Sequence, residues 1–357
     1  AVPANVPNPD VKWETSEQTN LGFDVEFLKG RLSLAADYFI KNTKDMIDEI
    51  PMASVAGVAV APLGNIGEVK NSGFELTVGY GDQTKSGFRY HVDANIATLT
   101  TEVKDLGTRE FFAHSNTVRA MQPLRSIVGE PWYSYYLIKT DGIFQSQEEI
   151  NAYTFKKSDG STALIQPNAK PGDQKFVDFN NDGKISDDDR QFLGSYAPTL
   201  TYGLNAFFEY KNFDLNIALQ GVSGNKIFNG VKVMTYAAGQ GWNMSKDVLN
   251  SWGYNKNSDI PLISMSDSNG NYSTVSDFFL EDGSYLRVKN ITLGYTLPKS
   301  LFGNKAGAPS LRAYVSGENL LTLTDYSGMD PEVGNNGLDG GTYPVSRVIS
   351  LGINLSF

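Results

Sequence analysis

The stretch Thr199–Gly221, TLTYGLNAFFEYKNFDLNIALQG, contains two runs in which apolar and polar side chains alternate. Alternation with a period of two predicts strands with one apolar and one polar face, and the polar corner Lys211-Asn212 between them predicts a β-hairpin. The apolar positions are Tyr202, Leu204, Ala206, Phe208 and Tyr210 in the first run and Phe213, Leu215, Ile217 and Leu219 in the second. The opposite face carries acids, amides and glycine, which fill a dry core poorly. The pattern therefore favours a barrel wall with lipid outside and water inside.

The same alternation recurs along the whole chain and predicts about ten strands. The predicted strands are 21–27, 32–40, 74–80, 88–96, 122–140, 199–210, 213–219, 285–295, 311–317 and 347–357. Shorter turns at 29–30, 82–87, 211–212 and 298–309 alternate with long loops, and this asymmetry is typical of outer-membrane barrels. We therefore expect an all-β chain over 1–357, a segment of a transmembrane antiparallel β-barrel, with 142–196 as a long extracellular loop.

Composition excludes several classes of function. The net charge of −10 argues against a nucleic-acid partner, since phosphate binding needs clustered Lys and Arg. Two His and no Cys exclude thiol chemistry, disulfides and His-rich zinc sites. The chain contains no run of 18 apolar residues, so the sequence predicts no membrane-spanning helix. The alternating last strand ends in Phe357, as is typical of barrels recognised by the insertion machinery.

The segment Asp178–Asp189, DFNNDGKISDDD, fits the calcium-binding loop pattern D-x-N-x-D-G-x-I-x-x-x-D. We expect side-chain oxygens of Asp178, Asn180 and Asp182, the backbone carbonyl of Lys184 and the carboxylate of Asp189 to bind a structural Ca²⁺ ion. Ser186 would act through water, and Gly183 permits the sharp turn. Asp replaces the usual Glu at the twelfth position, and no clear helix precedes the loop. The alternative is an acidic, solvated turn.

Other groups of residues carry weaker signals. The cluster Trp132–Tyr136, WYSYY, is compatible with stacking on sugar rings, but an aromatic girdle or structural packing is favoured. His91 and His114 are expected to be ordinary polar positions. The apolar patch 55–60 is compatible equally with a partly packed loop and with a functional one. No arrangement of Asp and Glu residues singles out a catalytic carboxylate pair for glycoside hydrolysis, so we expect that the chain is not an enzyme.

Several blocks, in order along essentially the whole chain, resemble the C-terminal barrel half of SusC-like (SusC/RagA type) TonB-dependent transporters. They are NPDVKWE (8–14), QTNLGF (18–23), GFEL (73–76), GDQKFVD (172–178), YGLN (202–205), NFDL (212–215), DGSYLRVKNITLGY (282–295) and GENLL (317–321).

The resemblance implies a plugged β-barrel in a Gram-negative outer membrane. It also implies a SusD-like surface lipoprotein as partner, energy from the TonB system, and import of oligosaccharides or peptides. Such barrels have about 22 strands. We find no counterpart of the plug, the TonB-contacting segment or the first strands here, so we expect another chain or removed residues to supply them.

Two other functions remain open from the sequence alone. One is a soluble, calcium-stabilised carbohydrate-binding β-protein, which would purify without detergent. The other is a secreted hydrolase, which would turn over glycans or peptides and which nothing in the sequence supports. The sequence does not distinguish a glycan from a peptide as the substrate.

Overall fold

The computed structural model describes residues 7–50, 52, 61–301 and 309–356. The apolar patch 55–60 and Phe357, both singled out above, lie outside the described residues. The strands are β1 (Thr15–Phe27), β2 (Leu32–Lys44), β3 (Ile47–Glu49), β4 (Leu63–Asn65), β5 (Glu68–Gln83), β6 (Arg89–Thr98), β7 (Thr100–Asp105), β8 (Phe112–Ala113), β9 (Leu124–Ser126), β10 (Ser134–Ile138), β11 (Thr140–Ile143), β12 (Thr154–Lys156), β13 (Thr162–Leu164), β14 (Gln174–Phe176), β15 (Arg190–Ser195), β16 (Leu200–Tyr210), β17 (Phe213–Ser223), β18 (Lys226–Asn229), β19 (Leu280–Asp282), β20 (Tyr285–Thr296), β21 (Ser310–Thr324), β22 (Leu338–Asp339) and β23 (Val348–Ser356).

The helices are short and lie between the long strands. They are α1 (Gln147–Ala152), α2 (Gly230–Thr235) and 3-10 turns at Asp187–Asp189, Ala238–Gln240, Lys246–Asn250, Asp277–Phe279, Lys299–Leu301 and Asn335–Gly337. Within the described ranges, no helix is long and apolar enough to cross a membrane. The helix signal around 245–252 corresponds to the 3-10 turn Lys246–Asn250, which Ser245 caps.

The long strands form one antiparallel ten-stranded sheet in the order β1-β2-β5-β6-β16-β17-β20-β21-β23, and β7 also pairs with β5. The register aligns the apolar positions of neighbouring strands: Leu204 lies opposite both Leu219 and Ala94, and Leu215 lies opposite Leu293. This alignment continues to the last strand, where Val315 lies opposite Leu351. The sheet therefore has one continuous apolar face and one polar face, as the alternation predicted.

The apolar face of this sheet is largely exposed among the described residues. Leu351 is 84% exposed and Leu21 is 76% exposed, although both belong to the apolar face. A row of apolar side chains this long is a poor surface in water, whereas it matches the hydrocarbon region of a bilayer. The packing therefore agrees with a membrane barrel wall.

Short and long connections lie at opposite ends of the strands. The hairpin turns after β1, β5 and β16 span only a few residues, and Lys29, Gly30 and Lys211 adopt positive φ angles there. The connections after β2, β7, β17 and β21 are all at the other end, because neighbouring strands are antiparallel. This confirms the predicted asymmetry for these connections; most of the predicted turn 298–309 lies outside the described residues.

The long connections build a second layer, here called the loop layer, which comprises 106–199, 224–284 and 325–347. Its core combines residues from all three segments, including Tyr135, Phe228 and Leu338, which are almost completely buried. The larger buried cluster thus lies in the connections, and a smaller one, Val69, Val103 and Leu106, joins β5 and β7 of the sheet to them.

One predicted strand was wrong. Residues 122–140 do not join the main sheet; they form β9 and β10 of a four-stranded sheet, β15-β10-β9-β8, in the loop layer. The alternation is blurred there because both faces of β10 are packed: Tyr135, Leu137 and Ile138 are all buried. The tenth strand of the main sheet is instead β7.

Candidate functional site

The polar face of the main sheet carries polar and charged side chains in pairs. Arg89 and Glu209 form an ion pair at 3.2 Å, and the His91 Nε2 and Asp93 Oδ2 atoms lie 2.9 Å apart. A third pair joins Asp214 to Arg312. These groups make a polar, charged wall, which suits the lining of a lumen better than the interior of a globular protein.

The loop layer is held to the sheet by a buried arginine. Arg287, in β20, is 2% exposed, and its Nη1 atom donates to the Glu332 carboxylate at 2.7 Å. Its other guanidinium nitrogens bind Asp330 and the Thr322 hydroxyl. The loop 325–347 is therefore fixed over the end of the sheet by charge-assisted hydrogen bonds.

The candidate calcium loop has the tight geometry that its sequence predicts. The Asp178 carboxylate accepts hydrogen bonds from the backbone N–H groups of Asp182 at 3.1 Å and Gly183 at 2.9 Å. The Asn180 side-chain oxygen also accepts from Asp182 N–H, at 2.9 Å. Gly183 has a φ of +85°, and a Cβ there would meet the Phe155 ring. The turn therefore requires glycine, as the template does.

Asp189 closes this loop through the backbone. One carboxylate oxygen accepts from the N–H groups of Phe179 at 2.9 Å and Asn180 at 3.4 Å, and the other accepts from Ser186 N–H at 2.7 Å. Asp189 is fully buried and also completes a capping box with Ser186. The shorter Asp thus reaches the loop backbone directly.

The residues present fit a metal ion only in part. Within the described ranges, no three His, Cys, Asp or Glu side chains gather into a group that could hold a metal. The carboxylate oxygens of Asp178 and Asp189 already accept hydrogen bonds from backbone N–H groups. A carboxylate has about four acceptor positions, so each retains capacity to bind a cation. The Lys184 ammonium lies 3.5 Å from Asp182, where it already offsets one negative charge.

The aromatic cluster 132–136 serves as packing. Tyr135 is completely buried, and its hydroxyl donates to the backbone carbonyls of Lys226 at 3.0 Å and Gly337 at 2.9 Å. Trp132 packs beside His114, whose Nε2 atom lies 2.8 Å from the Ser126 hydroxyl. Burial lowers the pKa of His114 to about 4, so the ring stays neutral. The structural interpretation of this cluster is therefore correct.

Sequence reasoning missed two groups of ion-paired residues. One is Arg287, whose position in an alternating strand gave no sign of burial. The other is the ion pair of Lys232 and Glu281 at 2.8 Å. Although burial opposes it, hydrogen bonds from Lys232 and Ser327 hold the pKa of Glu281 below its usual range. Nothing in the local sequence of either group indicated its partner, because the partners lie more than 40 residues apart along the chain.

Comparison with known proteins assigns the family. Residues 2–320 match the family described as TonB dependent receptor-like, beta-barrel. The chain belongs to this family. TonB-dependent receptors of this type are transporters of the Gram-negative outer membrane, so the predicted barrel class and location are confirmed. The alternative of a soluble carbohydrate-binding protein does not fit a member of this family.

Individual relatives of the receptor family agree with the SusC-like resemblance. The chain is 33% identical to TonB-dependent receptor P3 of Formosa agariphila over 98% of its own length and 35% of that protein. It is 25% identical to TonB-dependent receptor SusC of Bacteroides thetaiotaomicron, over 98% of the chain and 32% of SusC. The chain therefore spans about a third of the length of these curated relatives.

Among solved structures of this family, the RagAB peptide transporter superimposes with a TM-score of 0.76 at 27% identity. The match covers 98% of the chain and 36% of that structure's chain. The agreement extends to the arrangement of the sheet and the loop layer together, because almost the whole chain is included.

Proposed function

We propose that this chain is the C-terminal portion of a plugged TonB-dependent barrel that imports oligosaccharides or peptides together with a SusD-like surface lipoprotein. The observation that carries the proposal is the ten-stranded sheet, whose apolar face continues unbroken opposite a charged face. A wall of this kind separates lipid from a polar pathway.

The edges of the sheet support completion by further strands. Within the described residues, β1 pairs only with β2, and β23 pairs only with β21. Unpaired backbone groups are not tolerated in the hydrocarbon region, so both edges need partners. Strands and a plug outside these 357 residues would supply the rest of a barrel of about 22 strands.

The mechanism follows from the two layers. Cargo would bind where the loop layer, including the extracellular loop 142–196, meets the lumen and the lipoprotein. A TonB-driven displacement of the plug would then open the pathway past the polar face. Such transport is a gated conformational change and needs no covalent step, so the chain would act without enzymatic catalysis.

Uptake by whole cells tests this function. Cells with the complete transporter, cells lacking it and cells lacking TonB would receive fluorescent oligosaccharide and peptide pools. We expect uptake of one pool to need both the transporter and TonB. Equal uptake by all three strains would refute the proposal. Co-purification of the intact complex from native membranes would test the lipoprotein partner.

We also propose that the loop 178–189 binds a structural Ca²⁺ ion. Oxygens of Asp178, Asn180 and Asp182 would bind it with the Lys184 carbonyl and Asp189. The tight Asx turns of the loop and its glycine at the required position support this proposal. The ion would stiffen the loop 142–196 where Tyr153 and Phe155 already pack against it.

A further inference from the structure

A cluster of aromatic rings lies on the apolar face of the sheet, at the end where the short turns are. The ring of Phe88 lies 5.7 Å from Tyr90, 6.2 Å from Phe208 and 6.4 Å from Tyr210, and the ring of Tyr80 lies 5.9 Å from Tyr90, measured between centroids. Aromatic side chains of this kind occupy the boundary between hydrocarbon and head groups in membrane barrels. The cluster therefore marks the membrane boundary at the turn end of the sheet.

Two exposed lysines lie just beyond this cluster, on adjacent turns. Lys85 is in the turn before β6, and Lys211 is in the turn after β16. Because β6 and β16 are paired neighbours in the sheet, the two turns lie side by side. The Lys211 Nζ atom lies 5.2 Å from the centre of the Tyr210 ring. A lysine that extends from an aromatic boundary places its ammonium at the level of the lipid head groups.

The positive charge of these two lysines is not used within the described part of the chain. Neither lysine forms an ion pair with a described residue, whereas the nearby arginines do. Arg31 pairs with Asp82 at 2.8 Å, and Arg89 pairs with Glu209 at 3.2 Å. The acids nearest to the cluster are thus already neutralised, and the two lysines remain available to an anion outside the chain.

The opposite end of the sheet differs in this respect. Lys44 pairs with Glu17 at 2.7 Å, and Lys104 pairs with Glu102 at 2.5 Å. The lysines at that end therefore already have acidic partners. The comparison assigns an anion site to the turn end and supplies a matched pair of control lysines at the other end.

Local hydrogen bonds fix the backbone of both turns. The Thr84 N–H donates to the Phe88 carbonyl at 2.8 Å, and the Gly87 N–H donates to the Thr84 carbonyl at 3.0 Å. In the second turn, the Asn212 side-chain amide donates to the Thr296 carbonyl at 2.6 Å, and the Thr296 N–H donates to the Asn212 carbonyl at 2.8 Å. The backbone that carries each lysine is thus ordered before any ligand binds, which lowers the entropic cost of binding.

We propose that Lys85 and Lys211 bind the phosphate of an anionic phospholipid, whose acyl chains pack on Phe88 and Phe208. The lipid belongs to the periplasmic leaflet, because the short turns of such barrels lie on the periplasmic side. Each basic side chain near an anionic lipid surface strengthens association about fivefold. A zwitterionic head group carries its own cation beside the phosphate and gains less. The site is on the lipid-facing side of the wall, separate from the polar pathway.

The test places the complete transporter in nanodiscs that contain equal amounts of phosphatidylglycerol and phosphatidylcholine. Phe88→Trp is the reporter, because bromine on an acyl chain quenches the fluorescence of a tryptophan that it contacts. Bromine is carried by one lipid or by the other, and the same nanodiscs with wild-type protein give the background. Lys85→Gln combined with Lys211→Gln removes both cations. The control, Lys44→Gln combined with Lys104→Gln, makes the same change of charge at the other end of the sheet.

We expect the reporter to contact phosphatidylglycerol about fivefold more often than phosphatidylcholine. This preference should disappear without the two turn lysines and persist in the control. Equal quenching by the two lipids, or an equal loss of preference in both double variants, would overturn the inference.

Native mass spectrometry of the proteins without the reporter gives a second measurement, which stays valid if Phe88→Trp fails to fold. Wild type and the control should retain more bound phosphatidylglycerol than the variant without the two turn lysines. The same number of retained lipids in all three proteins would also contradict the site.

Discussion

Asp214 and Arg312 form an ion pair across a strand that lies between them. Asp214 is in β17 and Arg312 is in β21, and β20 separates the two strands. The Arg312 Nε atom donates to Asp214 Oδ1 at 2.8 Å, and Nη2 contacts the second carboxylate oxygen. Gly294 of β20 lies directly opposite Asp214, and a Cβ there would strike both the carboxylate and the guanidinium. The pair thus fastens three strands on the polar face.

Gly294→Val is expected to break this ion pair, because the new side chain occupies the space that the two charges share. The loss of charge-assisted hydrogen bonds should lower stability by about 2 kcal/mol. Thermal melting of the complete transporter in detergent measures the change. The control is Gly340→Val, since a Cβ at Gly340 meets open space. Equal melting temperatures for wild type and Gly294→Val would contradict the interpretation.

Arg287→Met should release the loop 325–347 from the sheet, because it leaves Asp330 without its buried cation. Removing one member of a buried ion pair costs about 3–5 kcal/mol. Limited proteolysis should then cleave this loop first. Arg31→Met is the matched control: Arg31 also pairs with an acid, Asp82, but its side chain is 46% exposed. That change should cost less than about 1 kcal/mol. Equal protection of the loop in both variants would count against the anchor.

The buried His114 side chain should make the folded loop layer less stable at acidic pH. Its pKa is about 4 in the folded chain because burial disfavours the charged ring, against about 6.5 when unfolded. Between pH 4 and pH 6.5 the unfolded state binds more protons than the folded state. The free energy of unfolding that neutral His114 contributes above pH 6.5 is therefore lost as the pH falls towards 4. At pH 5 the loss is about 2 kcal/mol.

Melting of the transporter at pH 7 and pH 5 measures this effect, with His114→Phe as the comparison. Phe keeps the ring that stacks on Tyr133 but cannot be protonated. We expect the variant to lose about 2 kcal/mol less than wild type on acidification. An identical pH dependence in the two proteins would remove His114 as its cause.

The calcium proposal predicts a loop that responds to metal removal. Chelation should speed proteolysis within 142–196, and calorimetry should find one site with a dissociation constant of about 0.1–1 mM. Asp178→Asn combined with Asp182→Asn should abolish both effects. Asp188→Asn is the control, since Asp188 lies in the same loop, is exposed and is not one of the proposed ligands. Loss of binding in the control as well would point to a diffuse acidic surface.

The sequence predicted the main sheet well because its strands obey one simple rule. Each strand contacts two different media, so every second residue differs in polarity, and register then follows, as the pairing of Leu204 with Leu219 shows. The loop turn at Gly183 was equally readable, because its conformation depends on residues within twelve positions of one another.

The loop layer could not be predicted in the same way. Its strands, such as β10, are packed on both faces, so polarity does not alternate. Its contacts also join distant positions: the Tyr135 hydroxyl binds Gly337, and Arg287 binds Glu332. Local periodicity holds no information on such pairs.

The central claim is that alternate residues of these strands face lipid and water. Single cysteines at 215, 216, 217 and 218 of β17, placed in an otherwise cysteine-free complete transporter and spin-labelled in liposomes, test it directly. Accessibility to oxygen, which concentrates in lipid, should be high at Leu215 and Ile217, whereas accessibility to a water-soluble nickel chelate should be high at Asn216 and Ala218. The same accessibility at all four positions, or the reverse alternation, would contradict the account.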